Sequence, residues 1–362
     1  MKILHIINSL NTGGAEKLIV DTLPLYNERN IKADLLLLKE SDTILYEQIK
    51  QTSVNIYSIH AKSFYSFSIV FKLKKFLKDY DIVHAHLFPT VYWLAICKVL
   101  FFPNLCIIFT EHSTNNKRRD KIYLKWFEKF IYSKYQKIIC ISKATERQLL
   151  DHLGVRFKSK VVVIENGVKT LNFRPNTNNT IQNNDIVTLT QIASFRYPKD
   201  QDTVIRSLLH LPKNIIVQFV GSGPRLEECR KLAGSLKVED RVRFLGQRND
   251  IPDILFNTDI CILSSFYEGF GLAAVEGMAS MKPILASNVE GLSEIVNGFG
   301  ILFERGNEKQ IAQFVLELIN DSKYYKEVAY RCYLRSKEYD ICNMVDNYID
   351  VYKKELLIKK IE

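Results

Sequence analysis

Two carboxylates with glycines between them form the segment of this chain whose residue types most directly suggest chemistry. Glu268 and Glu276 are separated by seven residues, and the stretch between them begins Gly269-Phe270-Gly271-Leu272. An apolar run precedes this segment and a helix-like pattern follows it, so it is predicted to be a strand, a tight loop and a helix. Glycines allow the backbone to approach a ligand closely, and a helix start directs free N–H groups towards it. The segment therefore predicts a diphosphate site, with Glu276 reaching vicinal hydroxyls and Glu268 above the reacting end.

The elements that must position this loop are alternating strands and helices along the whole chain. Apolar runs of strand length, such as residues 2–10, 81–86, 186–193 and 215–220, alternate with segments of helical periodicity. Such alternation predicts two doubly wound parallel sheets. Ligands bind at the carboxyl ends of the strands in these sheets, so the informative side chains are expected just beyond each strand.

A glycine pair follows the first predicted strand. Gly13 and Gly14 lie between that strand and a helical pattern at 17–27. A dinucleotide fingerprint needs three spaced glycines at this place. An acidic Glu40 after the second strand keeps a nicotinamide-binding site open as an alternative.

Three histidines follow or end predicted strands. His84 and His86 are two residues apart at a strand end, where a hydrogen-bonded structural role is as reasonable as a functional one. His112 directly follows a strand and leads into a polar loop, which favours a role in a binding cleft.

Length, charge and cysteine content restrict the class of protein. The 362 residues suffice for two domains, and the seven scattered cysteines favour reduced thiols over a disulfide framework or a zinc site. The net charge is +10, and residues 1–180 carry 27 basic against 15 acidic side chains. No signal-peptide pattern follows Met1, so a cytoplasmic location is expected.

The basic first half also contains interleaved cations and aromatic residues. Lysines and aromatic residues alternate at helical spacing in 64–80 and 117–132, the latter containing Lys117, Arg118 and Arg119. Such surfaces suit the anionic face of a membrane, and no nucleic-acid recognition module is evident. We therefore expect peripheral attachment to the inner face of the cytoplasmic membrane and no nucleic-acid partner.

Taken together, these motifs resemble the retaining glycosyltransferases of family 4, of the bacterial surface-polysaccharide type. Their Glu-x7-Glu signature is similar to the segment that ends at Glu276, and the likeness extends over essentially the full chain. The resemblance implies a GT-B fold, in which two Rossmann-like domains face a cleft and a C-terminal helix crosses back to the first domain. It implies an acceptor-binding domain at 1–170, a linker at 171–185, a nucleotide-sugar-binding domain at 186–340 and the returning helix at 341–362.

The resemblance also implies roles for individual residues. Lys199 corresponds to the cation that neutralises the donor diphosphate, whereas Ser194 occupies the expected arginine position and Arg196 lies close enough to substitute. His112 is implied to contact the donor sugar. The remaining donor-binding positions implied by the family are Gly13, Gly14, Gly221, Arg248, Ile251, Gly269, Phe270, Gly271 and Leu272.

The activity implied is transfer of a sugar from a nucleotide diphosphate, with UDP favoured by family habit, to an acceptor hydroxyl with retention of configuration. The acceptor is expected to be a glycan or a polyprenyl-diphosphate-linked sugar, as in capsule, O-antigen or exopolysaccharide assembly. No metal is implied to be obligatory, and no Asp-x-Asp stands beside a predicted strand end. A nucleotide-sugar epimerase, a nicotinamide oxidoreductase and a non-catalytic transferase partner remain alternatives.

Overall fold

The computed structural model describes residues 1–11, 13–114, 122–175 and 186–361. The chain forms two compact α/β units. The first unit consists of Met1–Gly167 together with Ile341–Glu362, and the second consists of Val168–Asp340. Most of the predicted linker, residues 176–185, lies outside the described residues.

The first unit is built on a seven-stranded sheet in which every pairing is parallel. Its strands are β1 Lys2–Ile7, β2 Lys32–Leu37, β3 Ile56–Ser58, β4 Ile82–His86, β5 Cys106–Glu111, β6 Lys137–Cys140 and β7 Val161–Val163. Their order across the sheet is β3-β2-β1-β4-β5-β6-β7. The strands are nearly continuous apolar runs because both faces of the sheet are covered.

Among the described residues of this part of the chain, six α-helices connect these strands. They are α1 Gly14–Glu28, α2 Ile44–Lys50, α3 Ser68–Leu77, α4 Thr90–Phe101, α5 Ile122–Ser133 and α6 Lys143–Leu153. The sequence did not predict α2, which is short and is capped by the Thr43 side chain accepting the Tyr46 amide. The seven residues of α2 are too few for periodicity to reveal a helix.

The second unit contains a six-stranded parallel sheet. Its strands are β8 Val187–Ile192, β9 Ile215–Val220, β10 Val242–Phe244, β11 Ile260–Leu263, β12 Ile284–Ser287 and β13 Ile301–Phe303. Its helices are α7 Gln201–Ser207, α8 Leu226–Ser235, α9 Ile251–Phe256, α10 Leu272–Ala279, α11 Leu292–Val296, α12 Glu308–Asn320 and α13 Ser322–Ser336. The strand order β10-β9-β8-β11-β12-β13 repeats the doubly wound order of the first sheet.

A last helix, α14 Ile341–Ile361, belongs to the first unit. Its buried residues Val345, Tyr348 and Tyr352 recur at helical spacing and pack with β1 and α1 in one of the two hydrophobic clusters on that sheet. The helix therefore covers part of a sheet whose strands all end more than 170 residues before the helix begins. Among the described residues, no helix is both long and apolar enough to cross a bilayer.

The strand order fixes where each unit can bind a ligand. β1 lies between β2 and β4, and β8 lies between β9 and β11, so the direction of winding reverses beside the first strand of each sheet. A crevice opens at the carboxyl ends of the strands at such a reversal. A ligand is therefore expected at the loops after β1 and β4 in the first unit and at those after β8 and β11 in the second.

Candidate functional site

In the second unit, the loops after β8 and β11 are joined by backbone hydrogen bonds. The Asp200 amide donates to the Ser264 carbonyl at 3.1 Å, and the Phe266 amide donates to the Pro198 carbonyl at 2.8 Å. Between them, Lys199 forms an isolated antiparallel bridge with Ser265. The Ser264 hydroxyl also donates to the Asp200 carboxylate at 2.9 Å. These contacts hold the backbone of Lys199 against the loop that contains Glu268.

The result is a direct ion pair between Lys199 and Glu268. Lys199 Nζ donates to Glu268 Oε2, and the other carboxylate oxygen accepts the Gly269 amide at 3.2 Å. The two side chains are 19% and 18% exposed. The sequence predicted both residues as site residues, and the structure brings their charges into contact at the carboxyl edge of the sheet.

Glycines shape the turn from which α10 begins. Gly271 has φ +102°, and a Cβ on it would lie 2.5 Å from Leu292 Cδ2. Gly291 has φ +84°, and a Cβ there would lie 2.3 Å from the Glu268 carbonyl oxygen. Side chains at these positions would therefore be strained and would push neighbouring segments apart. The turn places the amino end of α10, and its first N–H groups, beside the Glu268 loop.

Two other predicted residues of this segment are largely buried. Glu276 lies on α10 and is only 6% exposed. Phe270 is 2% exposed and its ring packs edge-on against Tyr339, with 5.4 Å between the ring centres. The Phe270 side chain anchors the loop, which leaves only its backbone to contact a ligand. Leu272 is half-buried at the first position of α10.

Two other predicted site residues, Arg196 and Gly221, lie near Lys199. Arg196 is exposed, and its carbonyl accepts the Lys199 amide at 2.8 Å. Gly221 has φ +142°, and a Cβ on it would lie 2.1 Å from the Ala193 carbonyl oxygen, so its place is a close approach between two strand-end loops.

Sequence analysis did not single out Arg225. Its guanidinium donates to the Lys199 carbonyl at 3.3 Å and to Asp202 at 2.7 Å. The Arg225 amide also bonds to the Phe195 carbonyl. The glycine turn that precedes Arg225 was the available signal, but the contact needs the fold.

Arg248 and Ile251 lie together at another corner of the second unit. Arg248 Nε donates to Asp250 Oδ1 at 2.8 Å and its Nη2 donates to the second carboxylate oxygen. This pairing lowers the pKa of Asp250 and raises that of Arg248. Ile251 is half-buried and begins α9.

In the first unit, the candidate residues lie on β4 or in the segments that follow β1 and β5. Gly13 and Gly14 begin α1 after β1, and Gly13 has an extended backbone that any residue could adopt. His112 follows β5 and is half-buried, with its Nε2 3.2 Å from His86 Nδ1. His86 Nε2 in turn lies 3.0 Å from His5 Nδ1. The structure therefore links His112 to two buried histidines.

His84 belongs to the same cluster but has different partners. Its Nδ1 lies 2.6 Å from the Tyr352 hydroxyl of α14, and its Nε2 lies 2.8 Å from the Thr110 hydroxyl. His5 and His84 are register partners on the neighbouring strands β1 and β4. Sequence analysis missed His5 because it stands inside an apolar strand, and the register that pairs it is set by residues far apart in the sequence.

Burial keeps these imidazoles uncharged. Desolvation lowers the pKa of His5 to about 3 and that of His112 to about 4. It also lowers the pKa of His84 and of His86 well below 6.5, and the neighbouring histidines lower both further. All four rings are therefore neutral at neutral pH.

Within the described residues, His5, His84 and His86 are close enough to suggest a metal site. One ring nitrogen from each lies within 4.8 Å of the others. However, both nitrogens of His84 are taken by hydroxyl groups, and His5 and His86 are bonded to each other. A metal would have to displace these hydrogen bonds, so the cluster is better described as a hydrogen-bonded histidine series.

Two doubly wound parallel α/β units, each with polar side chains at the carboxyl edge of its sheet, are typical of the GT-B class of proteins. Two family profiles match consecutive parts of the chain: "Glycosyltransferase Family 4" at residues 12–170 and "Glycosyl transferases group 1" at residues 175–335. The chain therefore belongs to the family-4-like glycosyltransferases of GT-B fold, and it is a glycosyltransferase.

Curated relatives of the chain include two Escherichia coli proteins. It is 28% identical over 309 residues to UDP-Gal:α-D-GlcNAc-diphosphoundecaprenol α-1,3-galactosyltransferase, covering 77% of each chain. It is 24% identical over 299 residues to the O-antigen biosynthesis glycosyltransferase WbnH, covering 82% of each. The fold is similar to that of Anabaena HepE in complex with UDP and glucose, with a TM-score of 0.86 at 21% identity, covering 98% of this chain and 100% of that one.

Proposed function

We propose that this glycosyltransferase transfers a hexose from a UDP-sugar, with retention of configuration, to a lipid-linked glycan during assembly of a bacterial surface polysaccharide. The observation that carries the proposal is the Lys199–Glu268 ion pair beside the start of α10. The relatives support the chemistry, because one is named for a UDP-galactose donor and a diphosphoundecaprenol acceptor, and the other for O-antigen synthesis.

A diphosphate fits this site because it can replace one partner of the ion pair. Lys199 Nζ is held between the β8 and β11 loops, where its charge would neutralise phosphate oxygens. The amino end of α10 would bind the distal phosphate through its N–H groups. Glu268, once Lys199 turns to the phosphates, would accept hydrogen bonds from sugar hydroxyls.

The other donor groups have proposed partners in the same unit. Glu276 on α10 would bind the two ribose hydroxyls through its two carboxylate oxygens. Arg196 is an exposed second cation for the diphosphate. Arg248 and Ile251 would border the base. No metal is needed in this scheme, because a cation and a helix terminus carry the phosphate charge.

Retention is proposed to proceed on one face of the sugar. A double displacement needs a carboxylate beneath the anomeric carbon. In this scheme Glu268 contacts the sugar hydroxyls and Glu276 the ribose hydroxyls, so neither would serve as that nucleophile. In the same-face route, the bond from the anomeric carbon to the donor phosphate breaks while the acceptor oxygen bonds to that carbon. The departing phosphate takes the acceptor proton. His112 would hold a hydroxyl of the sugar.

The lipid-linked acceptor is supported by an exposed aromatic and basic face of the first unit. Helix α3 packs on α4, and α4 packs on α5. Exposed apolar residues on or beside these helices include Phe67, Phe71, Val99, Leu100, Trp126, Phe127 and Phe130. Trp126 is 76% exposed, and Lys74 and Lys129 lie over aromatic rings of this face. Aromatic rings beside lysines suit the surface of an anionic bilayer.

Vesicle binding tests the membrane part of the proposal. Reversing two charges in the double variant Lys74→Glu, Lys75→Glu should weaken binding to phosphatidylglycerol vesicles by at least about 30-fold, because losing each lysine costs about 1 kcal/mol and the new carboxylates repel the anionic surface. Lys39→Glu, an exposed change elsewhere in the first unit, is the control. Equal binding by all three proteins would contradict the membrane contact. The loop with Lys117, Arg118 and Arg119 lies outside the described residues.

The donor is tested by calorimetric binding of UDP-glucose, UDP-galactose, UDP-N-acetylglucosamine and GDP-mannose to the full chain, with and without EDTA. One UDP-sugar should bind, EDTA should leave its binding unchanged, and Lys199→Met should weaken it about tenfold or more. Glu227→Gln, which alters an exposed ion pair on α8, is the matched control. Failure of every donor to bind at millimolar concentration would refute the proposal.

Product analysis separates the transferase from the other classes. A nucleotide-sugar epimerase would convert the donor without an acceptor, and a nicotinamide oxidoreductase would change cofactor absorbance. The transferase relatives do not favour either. A proton spectrum of the transferred sugar should show the anomeric configuration of the donor, and inversion would overturn the same-face route.

A further inference from the structure

The three histidines His5, His86 and His112 form a continuous hydrogen-bonded series. His5 Nδ1 is 3.0 Å from His86 Nε2, and His86 Nδ1 is 3.2 Å from His112 Nε2. Both nitrogens of the middle ring are therefore used. His5 and His86 are 2% and 4% exposed, so water does not replace these contacts.

The protonation state of one ring determines that of the others. A neutral imidazole carries one N–H donor and one bare nitrogen acceptor. Burial lowers the pKa of each of these histidines, so all three rings are neutral. Each contact needs one donor and one acceptor, which leaves two consistent arrangements. Either all three rings carry their proton on Nδ1, or all three carry it on Nε2.

The inner end of the series distinguishes the two arrangements. His5 Nε2 is buried and has no hydrogen-bond partner among the described residues. If the protons were on Nε2, an N–H group of His5 would be orphaned among the apolar residues of β1, α1 and α14. If they are on Nδ1, only a lone pair is left unpaired. Orphaned N–H groups in protein interiors are rarer than unpaired acceptors.

We propose that His5 and His86 are positioning residues that fix His112 as the Nδ1–H tautomer. His5 Nδ1–H donates to His86 Nε2, and His86 Nδ1–H donates to His112 Nε2. The ring of His112 is thereby oriented through Nε2 and presents Nδ1–H as a hydrogen-bond donor. The role of this donor, towards a hydroxyl oxygen of the transferred sugar, rests on the function proposed above.

This arrangement suits recognition of a neutral sugar. A charged imidazolium in the same place would require desolvation of a cation, whereas a neutral donor of fixed direction is ready before the ligand arrives. His84 is not part of the series, because its nitrogens bond to Thr110 and Tyr352. His84 is as deeply buried as His86 and is therefore a matched control.

The tautomers can be measured without any donor. Long-range proton–nitrogen NMR spectra of the full chain, labelled with 15N in its seven histidines, distinguish Nδ1–H from Nε2–H rings. Each signal is assigned by a single His→Asn substitution. The wild-type spectrum should show His5, His86 and His112 as Nδ1–H. Finding His112 as Nε2–H would overturn the proposal whether or not any variant folds.

Variants test the link between the rings. His86→Phe should release His112 from a single tautomer, and sugar transfer should fall about tenfold through the loss of one oriented hydrogen bond. His86→Asn should keep the single His112 tautomer and the sugar transfer, because its side-chain N–H group lies near the position of His86 Nδ1 and can donate to His112 Nε2. His84→Asn should leave the His112 tautomer unchanged. A His112 signal that stays the same in His86→Phe would contradict the series.

Failure of the proposed function can be distinguished from failure of the tautomer assignment. If His112 is Nδ1–H but no nucleotide sugar binds, the proposed function fails and the tautomer assignment stands. Titration with Zn²⁺ tests the competing use of the same nitrogens. Stoichiometric shifts of the His5, His84 and His86 signals would show a metal site and overturn the hydrogen-bonded series.

Discussion

Acidification should selectively destabilise the first unit, because its neutral histidines must stay uncharged in the folded state. The pKa of His5 is lowered to about 3 and that of His112 to about 4, against 6.5 in the unfolded chain. The unfolded state therefore takes up protons first as the pH falls. The stabilisation is complete above about pH 7 and is lost as the pH falls through 6.5 towards the folded-state pKa values of about 4 and 3.

The size of the loss follows from the unfolded-state pKa. Between pH 7.5 and 5.5, the free energy of unfolding falls by about 1.4 kcal/mol for each histidine that is neutral in the folded state but protonated in the unfolded chain. His5 and His112 together give about 2.7 kcal/mol, and His84 and His86 would raise the total towards about 5.5 kcal/mol. The hydroxyls that face the cluster, from Tyr348 and Tyr352, have raised pKa values and do not offset this loss.

The two tryptophans provide a measurement of this unit alone. Trp93 and Trp126 are the only tryptophans of the chain and both lie in the first unit. Trp93 is half-buried on α4 and donates to the Phe64 carbonyl at 2.8 Å. Urea unfolding followed by tryptophan fluorescence should therefore report the first unit. The midpoint should fall by about 1–2 M between pH 7.5 and 5.5, for an m-value of about 2.5 kcal/mol/M.

A variant tests the assignment to the cluster. His5→Asn removes one of the titrating rings, so the change in unfolding free energy between the two pH values should shrink by about 1.4 kcal/mol. A wild-type change below about 1.4 kcal/mol, or a gain of stability on acidification, would refute the reasoning. The first result would leave at most one buried neutral histidine, and the second would require a histidine stabilised in its charged form.

Three further changes have expected outcomes in the second unit. Glu276→Gln should weaken UDP binding in calorimetry about tenfold to a hundredfold, since one hydrogen bond to a charged group is lost; unchanged affinity would remove Glu276 from the ribose site. Gly291→Ala should lower the unfolding free energy by about 1–3 kcal/mol, because φ is +84° and the new Cβ would meet the Glu268 carbonyl; unaltered calorimetric melting would contradict this. Phe270→Ala should cost about 3–5 kcal/mol by emptying the space beside Tyr339, and a smaller loss would indicate that the loop collapses.

The sequence predicted the fold where the pattern was long or chemically distinctive. The GT-B fold was predicted and is confirmed by the two parallel sheets and by the family profiles. The apolar run 215–220 matches the bounds of β9, because it is continuous and a glycine follows it directly. The short elements α2, α9 and β13 were missed, since three to seven residues do not establish a period.

The sequence predicted which segments form the candidate site, but it did not predict which side chains contact one another there. Lys199 and Glu268 were each placed at a strand end, yet their ion pair depends on β8 and β11 being neighbours in the sheet. Predicting the histidine series would also require the register of β1 and β4, because only that register brings His5 close to His86. Side-chain pairs that join distant segments follow from the fold, and no local pattern indicates them.

The return of α14 to the first unit has a consequence for how the protein is made. Residues 168–340 must be translated between the last strand of that unit and its closing helix. At about 5–20 residues per second, the ribosome needs roughly 10–35 s for this stretch. Throughout that interval the nascent first unit lacks the helix whose Val345, Tyr348 and Tyr352 complete its apolar cluster. The first unit to be synthesised is thus the last to be finished, and we expect chaperones to bind its uncovered sheet face until translation ends.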